Sequence, residues 1–376
     1  MTLAKHLNRL QILRTPEFPH SLRHICLIML DEQLPLVEGI MESRPGAILD
    51  CIAVIDRKQI GGERCFTRNG QQSCVPLVGV EELIEMPHLE FVFCVHPNDP
   101  HNVMLTDISR ILAPYGVQHF YMHLQGPLRP IGAYKYSPDF YIKNASLLER
   151  VYQMLEDKDS REAYAGRIKA ILTGNPAYMP ISSHPEYYHP LVKPEKGDFI
   201  IDGGVSDMVQ TQENFAESVG EGGAVFGFEP MPGMCRSATR SLSKYKQYHV
   251  FCQGLGARKE KLHFTDQHDA SKVSEPGKNT VECEIIDIDT FMREHKLNRL
   301  DCIKLDVEGS ELAALHGAAK SIKKYRPKLI ICIYHKLEDL TELPHYIKML
   351  VPEYQLYVAH SSAHFVDTVL YAKIPD

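Results

Sequence analysis

"CIKLDVEGSELAALHGA", residues 302–318, is the stretch that decides the fold. Its first half predicts a central strand buried on both faces, because apolar residues predominate and do not alternate cleanly with polar ones. Gly309 and Ser310 then open a helical pattern with four apolar residues on one face, namely Leu312, Leu315, Ala319 and Ile322. A buried strand that passes directly into a helix indicates a parallel α/β sheet.

Two carboxylates follow this strand where it meets the helix. Asp306 and Glu308 are two residues apart, so a strand would point them to the same side. Ligands of doubly wound sheets bind at the carboxyl ends of the strands, where an acid can hold or deprotonate a hydroxyl. Helix initiation explains Glu311 and partly Glu308, but it does not explain Asp306. We therefore predict Asp306 and Glu308 as catalytic residues, with His335 at the end of the next strand as a candidate general base.

The rest of the C-terminal half continues the strand–helix alternation. Short apolar runs predict strands at 198–204, 224–229, 249–254, 281–287 and 328–335. The chain ends with two strands joined by about six residues, which is typical of an antiparallel hairpin. A mostly parallel sheet with an antiparallel C-terminal hairpin predicts the class I methyltransferase architecture, a Rossmann-like α/β fold, rather than a plain dinucleotide-binding domain.

The N-terminal half predicts a second, smaller Rossmann-like α/β domain. Strands are expected at 24–30, 51–56, 90–95 and 117–122, with helices at 33–44, 80–86 and 100–113. The first strand leads into a segment without a glycine-rich turn, so we expect acceptor binding or dimerisation there, not phosphate binding. The predicted boundaries are 1–140 for this domain, 141–197 for a helical and loop connector with a helix break near 157–160, and 198–376 for the C-terminal domain.

The composition of the 376-residue chain fits a globular protein of two domains. It is 44% apolar and 24% charged with a formal charge of −7 and no basic tract, which argues against nucleic acid or an anionic membrane as partner. No apolar run approaches the roughly 20 residues of a membrane span. The ten cysteines lack a C-x-x-C pair and mostly lie in apolar runs, Cys252 among them. Reduced thiols and a cytoplasmic location are therefore expected, without a disulfide framework or a zinc site.

Two motifs at strand ends predict the cofactor site. The turn "IIDGG" contains glycines that allow close backbone approach, and its aspartate could accept hydrogen bonds from an ammonium group. "FGFEP" places an acid at the end of the second strand, where it could accept both ribose hydroxyls of an adenosine. A loop that needs glycine and a surface glutamate are the structural alternatives. The predicted cofactor-binding residues are Asp202, Gly203, Gly204, Glu229, Pro230 and Gln253.

The predicted ligand carries adenosine and a charged amino-acid tail but no diphosphate. Met208 stands about where the third glycine of a dinucleotide-binding turn is expected, so a pyrophosphate cradle is missing. S-adenosylmethionine meets this description. Clustered carboxylates could also hold Mg²⁺, but the sequence does not support a metal site over other roles.

With these motifs identified, residues 198–374 resemble the FkbM family of S-adenosylmethionine-dependent methyltransferases. The most specific part is the stretch 301–318 together with "RPKLIICIYHKLEDLTELPHYIK"; "DIDTF" (287–291) and the closing hairpin are also similar to the family. The resemblance implies cofactor contacts by Asp202 and Gly204, ribose binding by Glu229, and O-methylation of a sugar or other polyhydroxyl acceptor. Met208 departs from the family's second glycine and could narrow the cofactor pocket.

Two other functions stay open from the sequence. A methyltransferase fold that has lost its cofactor through Met208 would act as a binding module, and a nicotinamide-dependent oxidoreductase would use the N-terminal domain. The missing glycine turn counts against the oxidoreductase. The expected partner is a small-molecule or glycan acceptor; homo-oligomerisation is left open.

Overall fold

The computed structural model describes residues 23–29, 31–54, 59–86, 88–95, 121–124, 138–173, 178–206, 209–265, 273–274, 280–361 and 367–375. Within these the chain divides into two compact units, which are described separately. Of the described residues, the first unit contains those up to 152 and 162–181, and the second contains 153–161, 182–361 and 367–375. The domain boundaries predicted at 140 and 197 stay predictions.

The first unit is built on a mostly parallel six-stranded sheet. Its strands are β1 (His24–Met29), β2 (Ile48–Val54), β3 (Glu63–Arg68), β4 (Gln71–Gly79), β5 (Glu90–Val95) and β6 (Tyr121–Leu124), in the order β3-β4-β2-β1-β5-β6. β1 lies between β2 and β5, parallel to both, and its five residues after His24 are buried, as a central strand requires. The Rossmann-like α/β prediction for this unit is confirmed.

Two features of the first unit differ from the prediction. Residues 63–79 form the hairpin β3–β4, in which Asn69 and Gly70 at positive φ make the two-residue turn. The helix predicted at 33–44 is a 3₁₀ turn (Asp31–Leu36) followed by α1 (Val37–Glu42). The helix predicted at 100–113 and most of the strand predicted at 117–122 lie outside the described residues.

Three helices follow, namely α2 (Pro138–Lys143), α3 (Ala145–Met154) and α4 (Lys158–Thr173). Leu148 and Val151 form the buried side of α3. The break between α3 and α4 falls at residues 155–157, because the Asp157 carboxylate accepts a hydrogen bond from the amide of Ser160 and so caps the new helix. This is the helix break that the sequence predicted near 157–160.

The second unit is built on a seven-stranded sheet. Its strands are β7 (Phe199–Gly203), β8 (Ala224–Phe228), β9 (Tyr248–Phe251), β14 (Cys302–Leu305), β15 (Lys328–Cys332), β16 (Gln355–His360) and β17 (Thr368–Lys373). The order is β16-β17-β15-β14-β7-β8-β9; β17 is antiparallel to both β15 and β16, and the other neighbouring strands are parallel. This arrangement confirms the class I methyltransferase fold.

The helices of the second unit connect its parallel strands. They are α5 (Gln210–Val219), α6 (Pro232–Leu242), α7 (Ile288–Glu294), α8 (Glu311–Gly317), α9 (Ala319–Tyr325) and α10 (Asp339–Leu350). The central strands β7, β14 and β15 are buried on both faces; Ile200, Ile303 and Ile330 have no exposed surface. Burying such a side chain stabilises the fold by about 1.5–3 kcal/mol.

A second, four-stranded sheet lies between β9 and β14 in the sequence. It contains β10 (Gly254–Leu255), β11 (Glu260–Thr265), β12 (Val273–Ser274) and β13 (Thr280–Ile286), in the order β10-β13-β11-β12. The strand predicted at 281–287 is therefore present, but it pairs in this small sheet and not in the main one. Met231, Phe264, Cys283 and Ile285 form its apolar cluster.

The cysteines depart from the expectation of reduced thiols. Cys65 pairs with Cys74 across the β3–β4 hairpin, and Cys235 of α6 pairs with Cys252 just after β9. The other six cysteines form no disulfide and are buried. The Cys235–Cys252 disulfide corrects the prediction that Cys252 is a reduced thiol. Disulfides are typical of oxidising environments. The cytoplasmic location stays a prediction. Among the described residues, no helix has the length and apolar character needed to cross a membrane.

Candidate active site

A cavity of about 320 Å³ opens at the carboxyl ends of β7, β8 and β14 in the second unit. This is the edge of a doubly wound sheet where ligands bind. Its wall contains the turn after β7, the segment after β8, the start of the small sheet and the segment after β14. Of the predicted site residues, Gly204, Glu229, Pro230, Asp306 and Glu308 line it.

Gly204 makes the turn after β7, and no other residue type fits there. Its φ is +84°, and a Cβ at this position would lie 1.8 Å from the carbonyl oxygen of Asp306. The backbone of the first turn therefore touches the backbone that carries the predicted catalytic acid. Lys304 holds the same turn from below, because its Nζ donates hydrogen bonds to the carbonyl oxygens of Gly203 (3.1 Å) and Gly204 (2.9 Å).

Asp202 occupies a different position from the one predicted. It is fully buried and does not line the cavity. Its carboxylate pairs with Lys304 Nζ at 3.1 Å and accepts a hydrogen bond from the Tyr248 hydroxyl at 2.6 Å. Burial lowers the pKa of Lys304, but the charges of Asp202 and Asp306 outweigh this effect and raise the pKa above its ordinary value. Asp202 therefore supports the turn through Lys304, and the direct cofactor contact predicted for it stays a prediction.

Gly203 and Gln253 also lie outside the cavity wall. A Cβ on Gly203 would come within 3.0 Å of Leu255, Leu305 and Val307, so this glycine allows close packing behind the wall. The Gln253 side-chain amide donates a hydrogen bond to Glu284 at 3.2 Å. Its neighbour Gly254 lines the cavity instead. Neither Gly203 nor Gln253 lines the cavity, and the cofactor contacts predicted for them stay predictions.

Glu229 lies where the sequence predicted an acid, just after β8. It is 7% exposed, and one carboxylate oxygen accepts a hydrogen bond from the amide of Met231 at 2.7 Å. Burial raises the pKa of Glu229 to about 7; the Met231 amide and Lys304 act in the opposite direction, and Glu308 adds to the rise. The carboxylate thus sits at the balance between its neutral and charged forms, and a ligand that donates hydrogen bonds to it would favour the charged form.

The side of the cavity beyond Glu229 is apolar. Met231 and Met234 come from the segment that opens α6, and the small sheet contributes Leu262, Phe264 and Ile285. Such a surface suits the flat face of a planar ring, because dispersion contacts there need no hydrogen-bond partners. Met208 lies outside the described residues.

Asp306 also lines the cavity, and two phenols hold its carboxylate. The Tyr187 hydroxyl donates to Oδ2 at 2.9 Å and the Tyr334 hydroxyl donates to Oδ1 at 3.0 Å. The Asp306 side chain remains 23% exposed. Burial opposes its ionisation, but Lys304, His335 and the two phenols together hold the pKa of Asp306 below its ordinary value. Asp306 therefore presents a charged acceptor oxygen to the cavity.

His335 is buried beside Asp306 and is surrounded by carboxylates. Its Nδ1 lies 2.9 Å from Glu311, and its Nε2 lies 3.4 Å from Asp306 and 3.8 Å from Glu308. Burial lowers its pKa, but Glu311, Asp306 and Glu308 outweigh this effect and raise the pKa of His335 to about 9. This raised pKa favours a protonated imidazole near neutral pH, which disfavours the general-base role predicted for His335.

Asp306, Glu311 and His335 are residue types that can bind a cation. Atoms of Asp306, Glu311 and His335 lie within 4.8 Å of one another. The two ring nitrogens of His335, however, face different carboxylates on opposite sides of the ring, and one ion can bind only one of these nitrogens. The set as oriented fits a protonated histidine between carboxylates better than it fits Mg²⁺, which prefers oxygen ligands in octahedral geometry.

Four residues of the site were not predicted from the sequence. Lys304 and Tyr334 had a usable signal, since they lie two residues before Asp306 and one before His335. Glu311 was assigned only to helix initiation. Tyr187 lies in a proline-rich segment 119 residues before Asp306, and its φ of +62° is rare for an aromatic residue.

Comparison with known proteins agrees with this architecture. The family model of the methyltransferase FkbM domain matches residues 202–358. The structure of methyltransferase FkbM from Methylobacillus flagellatus KT is similar over 98% of this chain and 97% of that one, with a TM-score of 0.63 and 19% identity, which supports the fold. The structure of fibrillarin from Aeropyrum pernix is similar over 47% of this chain and 67% of that one, with 13% identity and a TM-score of 0.32. No curated protein matches. Residues 202–358 of this chain therefore form a methyltransferase FkbM domain.

Proposed function

We propose that the protein transfers a methyl group from S-adenosylmethionine to a hydroxyl of a sugar or another polyhydroxyl small molecule. The observation that carries the proposal is one cavity lined both by a buried acid, Glu229, with apolar residues around it, and by the charged, phenol-bound Asp306. These two acids suit the two halves of the reaction, namely cofactor binding and acceptor orientation.

The cofactor half follows from Glu229 and Gly204. A carboxylate can accept hydrogen bonds from both hydroxyls of a ribose, and the apolar wall formed by Met231, Met234 and Phe264 can cover the adenine. The turn at Gly204 lets the backbone approach the amino-acid tail without a Cβ in the way. When bound, S-adenosylmethionine supplies an activated methyl group on its sulfonium.

The acceptor half follows from Asp306. Methyl transfer needs the attacking oxygen aligned with the methyl carbon, and a fixed carboxylate that accepts the hydroxyl's hydrogen bond provides that alignment. Tyr187 and Tyr334 fix Asp306 in turn. As the new O–C bond forms, the acceptor oxygen becomes far more acidic, so even a carboxylate with a lowered pKa can take its proton. His335, which is protonated near neutral pH, keeps Asp306 charged and does not act as the base.

Calorimetric titration with S-adenosylmethionine and S-adenosylhomocysteine tests the cofactor half. We expect micromolar binding to the native chain and at least about tenfold weaker binding to Glu229→Gln, equivalent to about 1.4 kcal/mol. The matched control Glu353→Gln removes a charge from an exposed residue and should bind like the native chain. If the native chain binds neither compound, the proposal fails and the alternative of a methyltransferase fold used as a binding module is favoured.

Transfer of a radioactive methyl group to a panel of monosaccharides, polyols and amines tests the acceptor half. We expect label on a polyhydroxyl compound, and at least about 100-fold slower transfer by Asp306→Asn, whose cofactor binding should stay within threefold of native. Label on amines alone would contradict O-methylation while leaving the methyltransferase assignment intact.

A further inference from the structure

Glu311 is a buried carboxylate without an assigned role in the reaction. It begins α8 and is 1% exposed. Its Oε1 accepts hydrogen bonds from the amides of Val307 (2.8 Å) and Gly309 (3.4 Å), and it lies 2.9 Å from His335 Nδ1. One oxygen thus contacts both the segment after β14 and the histidine after β15, and helix initiation alone does not require the second contact.

We infer that Glu311 is a positioning residue that acts through His335 to fix the charge at the Asp306 end of the cavity. The inference rests on the proposed function only for the use made of Asp306. Its physical content, a histidine held as a cation by a buried carboxylate, can be tested without a methyl acceptor.

The orientation of the His335 ring indicates its protonation state. A neutral imidazole has one N–H, so one of its nitrogens would direct a lone pair at a carboxylate. Here Nδ1 faces Glu311 at 2.9 Å, and Nε2 faces Asp306 at 3.4 Å and Glu308 at 3.8 Å. Carboxylate oxygens close to both ring nitrogens favour the doubly protonated ring, because its positive charge attracts the carboxylates on either side.

Burial of the Glu311 carboxylate costs free energy that nearby groups must offset. An isolated buried carboxylate is strongly destabilising unless a charge or hydrogen bonds compensate it. The amides of Val307 and Gly309 supply two donors, and the cation that faces Glu311 is His335. The imidazolium of His335 therefore offsets part of the cost of burying the Glu311 carboxylate.

The remaining charged groups near His335 do not replace Glu311. Asp339 of α10 is buried and accepts a hydrogen bond from the amide of Lys336 at 2.6 Å. Burial and the charge of Glu311 raise the pKa of Asp339 to about 7, so it is only partly ionised near neutral pH. Lys336 is exposed at the surface, and Glu308 is 34% exposed and more distant. Glu311 is thus the best-placed anion for the histidine.

The segment between Asp306 and Glu311 adds a geometric reason for this role. Glu308 adopts a φ of +52°, a left-handed conformation that side chains other than glycine rarely adopt. The two amide hydrogen bonds to Glu311 flank this residue on both sides. Glu311 therefore holds the strained turn that brings Glu308 to the cavity, in addition to holding the histidine.

The test is a pH titration of the full chain labelled with ¹⁵N-histidine and followed by long-range ¹H–¹⁵N NMR. The His335 signals are assigned as those lost in His335→Gln. In the native chain we expect both ring nitrogens to show imidazolium shifts from pH 6.5 to 8 and to titrate near pH 9. In Glu311→Gln, which can still accept the two amide hydrogen bonds, we expect a His335 pKa lower by about one unit or more.

The matched control is Glu342→Gln, which removes a charge from an exposed position on α10 and should leave the His335 titration unchanged. A neutral His335 in the native chain at pH 7 would overturn the inference, as would a Glu311→Gln chain that titrates like the native one. The native result stands even if Glu311→Gln does not fold. Glu311→Asp then serves as the second variant, and its His335 pKa should lie between the ordinary histidine value and the native value. Glu311 lies outside the cavity wall, so calorimetry with S-adenosylmethionine separates a failure of the proposed function from a failure of this inference.

Discussion

Replacement of Gly204 by alanine gives the sharpest test of how the site is built. Alanine would lie at a φ of +84°, which costs about 1–2 kcal/mol for a residue with a side chain. Its Cβ would also start 1.8 Å from the Asp306 carbonyl oxygen and would have to retreat to at least 3.0 Å. The ends of β7 and β14 would therefore separate by more than an ångström.

That separation breaks two identified hydrogen bonds. The amide of Asp306 donates to the Gly203 carbonyl oxygen at 3.1 Å, and Lys304 donates to the Gly204 carbonyl oxygen at 2.9 Å. A neutral hydrogen bond contributes about 1 kcal/mol and a charged one about 1.5–3 kcal/mol. The clash should thus destabilise the second unit by about 3 kcal/mol beyond the cost of the positive φ.

Gly197→Ala is the matched control, because Gly197 has a φ of +87° with no atom within 4 Å of its hypothetical Cβ. Both variants are measured in the full chain by scanning calorimetry, followed by titration with S-adenosylmethionine. We expect Gly204→Ala to unfold about 6–12 °C below Gly197→Ala and to bind the cofactor at least 100-fold more weakly. Equal stability of the two variants, or native binding by Gly204→Ala, would refute the reasoning.

Two further predictions concern pH. The pKa of Glu229 is raised to about 7, and its charged form is the better hydrogen-bond acceptor. Affinity for S-adenosylmethionine should therefore fall about tenfold between pH 8 and pH 6 in the native chain and stay constant in Glu229→Gln. Calorimetry at both pH values checks this. His335 has a folded-state pKa of about 9, above its unfolded value, so its stabilising contribution is complete below about pH 6.5 and is lost as the pH rises through 9. The difference in unfolding free energy between the native chain and His335→Gln should therefore shrink by on the order of 3 kcal/mol from pH 6 to pH 9.5, and an unchanged difference in denaturant titrations would be inconsistent with a buried imidazolium.

The central motif was predictable because its information is local. The apolar run of 302–305, the glycine at 309 and the helical spacing beyond it specify strand, turn and helix within 20 residues. The reason given for placing Asp306 and Glu308 on one side was wrong. β14 ends at Leu305 and Glu308 has a positive φ, so the alternation of a strand does not bring the two acids together. Asp306 and Glu308 meet instead around His335.

The role of Asp202 could not be read from the sequence. A strand-end aspartate next to two glycines is equally compatible with ligand contact and with structural support. The choice is made by Lys304 and Tyr248, which lie 102 and 46 residues further along the chain and occupy its carboxylate. Burial of a charge is decided by tertiary partners, and these are not encoded in the spacing of the motif.

The hairpin β3–β4 was missed although its signal was present. Asn69-Gly70 is the strongest short-range indication of a two-residue hairpin turn, and both residues have positive φ. The flanking strands are largely exposed and polar, so their apolar pattern is weak. Tyr187 had no comparable signal, because only the folded chain brings its segment to Asp306.

The central claim is that one cavity binds the cofactor at Glu229 and directs its methyl group toward Asp306. A crystal structure of the chain with S-adenosylhomocysteine tests it most directly. The account predicts both ribose hydroxyls within hydrogen-bond distance of the Glu229 carboxylate, the adenine against Met234 and Phe264, and the sulfur facing the Asp306 end of the cavity. Density for the ligand elsewhere, or a ribose that does not contact Glu229, would contradict it.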